Sequence, residues 1–212
     1  GGSSKESLNE ESLFDAKSPY AASKVFAHDI TKIYRDSYGI FGVNGILFNH
    51  ESPLRGETFV TRKITIALAK IYHGLESNVF LGNLDAKRDW GHAKDYVEGM
   101  WKILQHNKPD DFVLATGETH SVREFVTESF KILGEEIQWT GSGENEVGIL
   151  KSTGNQVVGI NPRYFRPTEV ELLIGDPQKA KDELGWVPKI TFQELVKVMV
   201  ESDFNKRKNR VA

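Results

Sequence analysis

The chain has 212 residues, of which 39% are hydrophobic and 27% charged, a composition typical of a globular protein. Its net charge of -3 argues against a nucleic-acid partner, and the absence of cysteine excludes disulfides, Cys-ligated zinc and thiol catalysis. No apolar run is long enough to cross a bilayer and no signal-peptide core opens the chain, so we predict a cytoplasmic protein without a membrane partner or metal site.

The first half of the chain alternates helical and strand patterns. Residues 1–17 are polar and aperiodic, which predicts a linker or loop. Ser18 and Pro19 are typical of a helix start, and Gly39 is typical of its end. An apolar run at residues 43–48 predicts a buried strand, residues 64–72 a second helix closed by Gly74, and residues 78–81 a short strand.

A third helix is predicted after Ala93, followed by another buried strand at residues 112–115. We expect the apolar residues of this helix to form one face, which consists of Ala93, Tyr96, Val97, Met100, Trp101, Ile103 and Leu104.

The last third of the chain has a different sequence pattern. Ser121 and Glu124 form a capping box ahead of a helix that Gly134 ends. Residues 140–162 are rich in Gly, Asn and Ser, with a short strand predicted at residues 157–160. Two further helices are predicted, one from residue 176 to 185 and one capped by Thr191 and Glu194. The alternation of strands and helices predicts an α/β fold with a smaller α/β lobe at the end.

Tyr20 and Lys24 form the first candidate for chemistry. Their spacing of four residues puts the phenol and the ammonium on the same face of the first helix. An ammonium stabilises a nearby phenolate, and such a tyrosine can exchange a proton with a sugar hydroxyl while a hydride moves to a nicotinamide. By itself a Tyr-x-x-x-Lys pair is common in helices, where the tyrosine packs and the lysine is solvated.

The surroundings of this pair are more specific. Residues 18–24 read S-P-Y-A-A-S-K, residues 47–56 read L-F-N-H-E-S-P-L-R-G, and residues 59–63 read F-V-T-R-K. Further on, residues 82–97 read G-N-L-D-A-K-R-D-W-G-H-A-K-D-Y-V and residues 163–170 read R-Y-F-R-P-T-E-V. In this order, the stretches closely resemble GDP-mannose 4,6-dehydratases of the extended short-chain dehydrogenase/reductase superfamily, over residues 18–200.

The resemblance implies the C-terminal part of a Rossmann-type doubly wound parallel sheet plus a smaller α/β substrate-binding lobe. Residues 18–118 would be the remainder of an NADP-binding Rossmann domain, with a substrate-binding insertion at residues 56–90. Residues 119–212 would form the sugar-nucleotide-binding lobe. A glycine-rich G-x-x-G-x-x-G turn, which receives a cofactor pyrophosphate, does not occur in the chain, and the family's catalytic Thr and Glu have no counterpart in it.

The resemblance also implies roles for individual residues. Tyr20 would be the active-site base and Lys24 its partner, and NADP would be contacted by Lys24, His50 and Arg55. The residues that would hold GDP-mannose are Asn49, Lys63, Arg88, Arg166 and Glu169. Guanidinium and ammonium groups suit a diphosphate, and an Asn just past a buried strand suits a site at the carboxyl ends of strands.

Each of these residues also has a purely structural interpretation. His50 would be a core or capping histidine, Arg55 and Arg62 surface charges, and Arg88 with Asp89 a local ion pair. Trp90 is expected to pack, and Asp95 to be a structural partner near a helix start.

The implied reaction is the NADP-dependent dehydration of GDP-mannose to GDP-4-dehydro-6-deoxy-mannose by internal redox, in a protein that works as a dimer or tetramer. Alone, this chain is expected to be inactive. Two alternatives stay open: another nucleotide-sugar 4,6-dehydratase or 4-epimerase of the same superfamily, and an inactive sugar-nucleotide-binding fragment.

Overall fold

The computed structural model describes residues 7–164 and 172–211. Its helices are α1 (Pro19–Tyr38), α2 (Val60–Tyr72), α3 (Ala93–Gln105), α4 (Val122–Ile132), α5 (Gln178–Leu184) and α6 (Phe192–Val211). Its strands are β1 (Asn44–Leu47), β2 (Asn49–Glu51), β3 (Val79–Leu81), β4 (Lys87–Arg88), β5 (Trp90–His92), β6 (Asp111–Leu114), β7 (His120–Ser121), β8 (Ile137–Thr140), β9 (Val147–Leu150), β10 (Gln156–Ile160) and β11 (Leu172–Leu173).

The helix ends follow the capping chemistry of the sequence. The Ser18 hydroxyl accepts a hydrogen bond from the Ala21 N–H, and Gly39 ends α1 with the positive φ of 65° that glycine adopts without strain. At the start of α4 both bonds of the predicted capping box are present, between Ser121 and Glu124. These predictions are confirmed.

Contacts along the chain divide the protein into two compact units. The first unit contains Gly1–His50, Lys87–Thr119 and Val170–Ile190, and its strands pair in parallel, β1 with β6 and β4 with β11. Leu8 forms a bridge to Gly175, so part of the predicted linker is tied to this unit. One core cluster of the first unit consists of Tyr96, Ile103, Phe112, Leu114, Ala180 and Trp186, and a second consists of Phe48, Val113 and Ala115.

The second unit contains Glu51–Ala86, His120–Glu169 and Thr191–Ala212. Its four-stranded sheet has the order β3-β10-β9-β8, with β3 parallel to β10 and the other pairs antiparallel. Helices α2, α4 and α6 pack against one another and bury the apolar faces that their sequences present. No helix in the described part of the chain has the length and apolar character that a membrane span requires.

The prediction of one apolar face on α3 was wrong. Tyr96, Gly99 and Ile103 are buried, and they recur at the spacing of a single helix face. A second apolar stripe on the same helix is exposed, and it consists of Val97, Met100, Trp101 and Leu104. The residues of the two stripes are interleaved along the sequence. Hydrophobicity alone therefore does not tell which stripe packs against the core.

Candidate active site

Tyr20 and Lys24 project from the first two turns of α1 in the first unit. The Lys24 Nζ lies 5.4 Å from the centroid of the Tyr20 ring, so the two side chains share a helix face as their spacing predicts. Tyr20 is 72% exposed and Lys24 is also exposed. The phenol and the ammonium are therefore both accessible to a ligand that approaches this face.

Asn49 and His50 begin β2, immediately after Phe48, whose N–H donates to Leu114 O at the end of β6. The His50 Nδ1 lies 3.0 Å from Phe48 O, and a carbonyl oxygen only accepts, so Nδ1 carries the proton and Nε2 is an acceptor in neutral His50. The His50 ring also packs against the Tyr96 ring, with centroids 5.2 Å apart. The backbone and the core thus fix both the tautomer and the orientation of this imidazole.

Arg88 lies in β4, next to a fully buried carboxylate. Asp89 accepts hydrogen bonds from the hydroxyl and N–H of Thr116 and from the N–H groups of Gly117 and Gly175. Burial raises the pKa of Asp89, and these four donors oppose that rise. Asp89 therefore joins the ends of β6 and β11 to the strand segment that carries Arg88, whose Nη1 donates to Lys87 O at 2.8 Å.

Two residues close to this segment, Trp90 and Asp95, have the structural roles that the sequence predicts. Trp90 is buried, as expected for a packing residue. The Asp95 carboxylate accepts hydrogen bonds from the N–H groups of Lys189 and Ile190, both at 3.0 Å, and so acts as a structural partner near the start of α3.

Arg55 is half-buried in the second unit, in the turn between β2 and α2. Its guanidinium stacks on the Phe59 ring, 3.6 Å from the ring centroid, and its Nε lies 3.3 Å from a Glu51 carboxylate oxygen. The Nε has no hydrogen-bond partner of good geometry among the described residues. Arg55 is therefore a cation that Glu51 and Phe59 hold in place.

Lys63 lies on the first turn of α2 and contacts an aromatic side chain. Its Nζ donates to Phe80 O at 2.7 Å and stands 3.7 Å over the Tyr164 ring. At Gly82, which comes directly after β3, any Cβ would lie 2.8 Å from Tyr164 O, so the absence of a side chain permits this close approach. Lys63 and the half-exposed Tyr164 ring together form a cationic and aromatic surface.

The remaining predicted site residues, Arg166 and Glu169, lie outside the described residues. The first unit carries Tyr20, Lys24, Asn49, His50 and Arg88, and the second unit carries Arg55 and Lys63. Within residues 7–164 and 172–211, no group of three His, Asp or Glu side chains is placed to hold a metal ion.

Arg62 is a residue whose placement the sequence did not reveal. The interpretation of Arg62 as a surface charge was wrong, because its side chain is buried and paired with Asp203 of α6. A signal was present, since Asp203 continues the apolar face of α6 at helical spacing from Val196 and Met199. An acidic residue in such a position indicates a buried partner.

Comparison with protein families gives one family whose model covers most of the chain. The model described as GDP-mannose 4,6 dehydratase matches residues 1–199.

Curated relatives agree with that match. A protein from Drosophila melanogaster named GDP-mannose 4,6 dehydratase is 57% identical over 205 residues, which cover 96% of this chain and 52% of the relative. A human protein of the same name is 57% identical over 194 residues, covering 92% of this chain and 52% of its own length. The chain thus spans about half the length of these two relatives.

Among solved structures, the protein RMD from Pseudomonas aeruginosa, complexed with NADPH, has a TM-score of 0.77. Its sequence is 18% identical, and the match covers 94% of this chain and 60% of RMD. At this identity the likeness concerns the fold, and it confirms the prediction of a Rossmann-type α/β architecture.

Proposed function

The chain belongs to the GDP-mannose 4,6-dehydratase family, and from this we propose that the full-length protein carrying this sequence dehydrates GDP-mannose to GDP-4-dehydro-6-deoxy-mannose, with NADP as cofactor. The observation that carries the proposal is the 57% identity to relatives with that name, across more than nine-tenths of this chain. The Tyr20–Lys24 pair supports it, because internal redox at a sugar carbon needs a base beside a nicotinamide.

The residues of this chain fit part of a nicotinamide dinucleotide. Lys24 is an exposed ammonium beside Tyr20, and Arg55 is a half-buried cation held by Glu51 and Phe59, and both charges suit an anionic ligand. His50 offers a ring whose tautomer is fixed by Phe48 O. When bound, NADP supplies the acceptor for a hydride from C4 of the mannose and the donor that returns it to C6.

Tyr20 is proposed to perform the first proton transfer. Its phenolate oxygen removes the proton of the C4 hydroxyl as the C4–H bond gives up its hydride, and Lys24 stabilises the phenolate. The resulting 4-keto group acidifies the C5–H bond, so a proton leaves C5 and the C6 hydroxyl leaves as water. Once C6 is reduced, the return of a proton to C5 would complete the 6-deoxy product.

The sugar nucleotide is proposed to lie against Asn49, Lys63, Arg88, Arg166 and Glu169. Cations in the described part of this set suit a diphosphate, and the Tyr164 ring beside Lys63 offers a flat apolar surface next to a charge. The division into a Rossmann remainder at residues 18–118 and a sugar-nucleotide lobe at residues 119–212 also remains a proposal.

The elimination step needs an acid and base for which this chain offers no matching residue. We therefore propose that the 212-residue chain alone binds GDP-mannose poorly and turns it over little or not at all. We also propose that the full-length protein assembles as a dimer or tetramer. We place it in the cytoplasm, where nucleotide sugars and NADP are available.

Product analysis tests the function. The full-length protein is incubated with GDP-mannose and NADP, and the product is measured by mass spectrometry. We expect a sugar nucleotide lighter by one water and no net formation of NADPH. Turnover of a UDP- or dTDP-hexose without turnover of GDP-mannose would overturn the assignment in favour of another dehydratase or an epimerase.

A further inference from the structure

A buried ionic network in the second unit joins α2 to α6. The Nε and Nη2 of Arg62 donate to the two carboxylate oxygens of Asp203, at 2.7 and 2.8 Å. The Thr65 hydroxyl donates to the same carboxylate at 2.7 Å. The Arg62 and Asp203 side chains are only 8% and 0% exposed, so water does not screen the pair.

The remaining donors of Arg62 reach the turn between β2 and α2. Its Nη1 donates to Pro53 O at 2.6 Å and to Arg55 O at 3.0 Å. A planar guanidinium can bind a carboxylate with one edge and two carbonyl oxygens with another, whereas a lysine ammonium cannot match this geometry. The network therefore connects a residue of the last helix to the backbone of residues 53–55.

The same turn is held from a second direction. The buried Glu51 carboxylate accepts a hydrogen bond from the Thr61 hydroxyl at 2.6 Å and lies 3.3 Å from the Arg55 Nε. The Phe59 ring supports the face of the Arg55 guanidinium. The side chain of Arg55 is thus positioned by Glu51 and Phe59, and its backbone is positioned by Arg62.

We propose that Arg62 and Asp203 are positioning residues, which fix the turn of residues 53–55 so that Arg55 is pre-organised to contact a dinucleotide cofactor. The cofactor contact rests on the function proposed above, whereas the fixing of the turn does not. A cation held in one orientation loses less conformational entropy on binding than a mobile one, so the network increases affinity without touching the ligand.

The alternative is that the pair only stabilises the second unit. A double variant, Arg62→Met with Asp203→Leu, separates the two roles. Replacement of a buried ion pair by apolar residues of similar volume is often neutral or stabilising, so we expect this variant to fold. It nevertheless lacks both hydrogen bonds to the turn. The matched control is Glu201→Gln on α6, which removes the exposed ion pair with Lys197.

Hydrogen–deuterium exchange on the 212-residue chain measures the turn itself. The relevant amides are those of Arg55, bonded to Ser52 O, and Phe59, bonded to Gly56 O. We expect exchange about 10-fold to 100-fold faster in the double variant, the factor that loss of hydrogen bonds to a charged group implies. Unchanged exchange in a folded double variant would overturn the proposal, and the Glu201→Gln control should match the unsubstituted chain.

NADPH titration of the full-length protein measures the link to the cofactor. We expect Arg55→Met to weaken NADPH binding about 10-fold to 100-fold and the Arg62→Met, Asp203→Leu variant to weaken it less. In the triple variant we expect no loss beyond that of Arg55→Met, because the network acts through Arg55. Fully additive losses would contradict positioning. If Arg55→Met leaves NADPH affinity unchanged, the cofactor role proposed for Arg55 fails, and the amide exchange still decides whether the network holds the turn.

Discussion

Helices α1 and α2 both present apolar residues at helical spacing, yet their surroundings differ sharply. Helix α2 buries eight residues, and its packing partners α4 and α6 belong to the same unit. Helix α1 buries none of its twenty residues against the described part of the chain, and Phe26, Ile33 and Tyr34 are exposed. An amphipathic sequence thus specifies a helix, while its burial depends on the elements available to cover it.

What anchors α1 is mainly polar. Arg35 forms two hydrogen bonds to the Asp111 carboxylate at 2.8 and 3.2 Å, and the Asn44 amide donates to the same carboxylate. The exposed start of α1 carries Tyr20 and Lys24. Helix α1 thus exposes residues that suit chemistry, whereas helix α2 buries residues that provide stability.

The largest effect is expected at the exposed end of α1. In the full-length protein, Tyr20→Phe should lower the turnover of GDP-mannose about 100-fold to 10,000-fold, the usual contribution of a general acid or base. The melting temperature and NADPH affinity should stay nearly constant, because the substitution removes only the hydroxyl and keeps the ring. Steady-state kinetics with differential scanning calorimetry checks both expectations. Unchanged turnover would remove Tyr20 from the mechanism.

Apolar burial is compared by matched isoleucine truncations in the 212-residue chain. Ile64 of α2 is 1% exposed, and Ile64→Ala should lower the free energy of unfolding by about 2–5 kcal/mol. Ile33 of α1 is 54% exposed, and Ile33→Ala should change it by less than about 0.5 kcal/mol. Urea unfolding followed by circular dichroism measures both. Equal losses would mean that the α1 face is covered in solution.

The polar anchor of α1 gives the next effect. Burial alone would raise the pKa of Asp111, but hydrogen bonds from Arg35 and Asn44 and the nearby charges of Arg35 and His28 hold it below its ordinary value. Its stabilising contribution is therefore present above about pH 4 and is lost as the pH falls through the lowered value. Asp111→Asn should cost about 1.5–3 kcal/mol at pH 7, measured by urea unfolding.

The acid dependence provides the control for this anchor. Below pH 4 the difference in unfolding free energy between Asp111→Asn and the unsubstituted chain should shrink. A difference that stays constant with pH would show that the Asp111 charge contributes nothing.

The smallest effect concerns the start of α3. The His92 Nδ1 accepts a hydrogen bond from the Lys94 N–H, which requires an unprotonated Nδ1, and burial lowers the pKa of His92. Stability should therefore decrease as the pH falls below about 6.5, by roughly the 1 kcal/mol of a helix cap. His92→Asn keeps a capping acceptor and should flatten this pH dependence in urea titrations between pH 7 and 5. An unchanged slope would assign the dependence to another group.

Local chemistry made much of the fold predictable. The ends of α1, α4 and α5 follow from Ser18, the Ser121–Glu124 pair and Gly185, since caps depend on neighbours in sequence. Strands β8 and β9 were not predicted, because they lie in or beside a stretch rich in Gly, Asn and Ser. Gly148 lies in β9, where a Cβ would be only 3.1 Å from the Trp139 ring. The glycine is therefore explained by close packing in a strand and not by a loop.

The candidate site was predictable to a different degree. The positions of Tyr20, Lys24 and the pair Asn49–His50 could be predicted from motifs. These residues lie near the ends of helices and strands, which the sequence marks. The helical spacing of Asp203 indicates a buried acid, but it does not identify the partner, Arg62, which lies 141 positions away. Long-range polar contacts depend on tertiary packing and are seen only in the structure.

We propose that this chain contributes the base and part of the nucleotide pocket for an internal redox dehydration. GDP-mannose deuterated at C4 tests it most directly, with the full-length protein, NADP and analysis of the product by mass spectrometry and NMR. We expect a product that is lighter by one water and carries the deuterium at C6. A product of unchanged mass with deuterium still at C4 would indicate an epimerase, and deuterium accumulating in NADPH would indicate a simple dehydrogenase; either result would overturn the proposed dehydration.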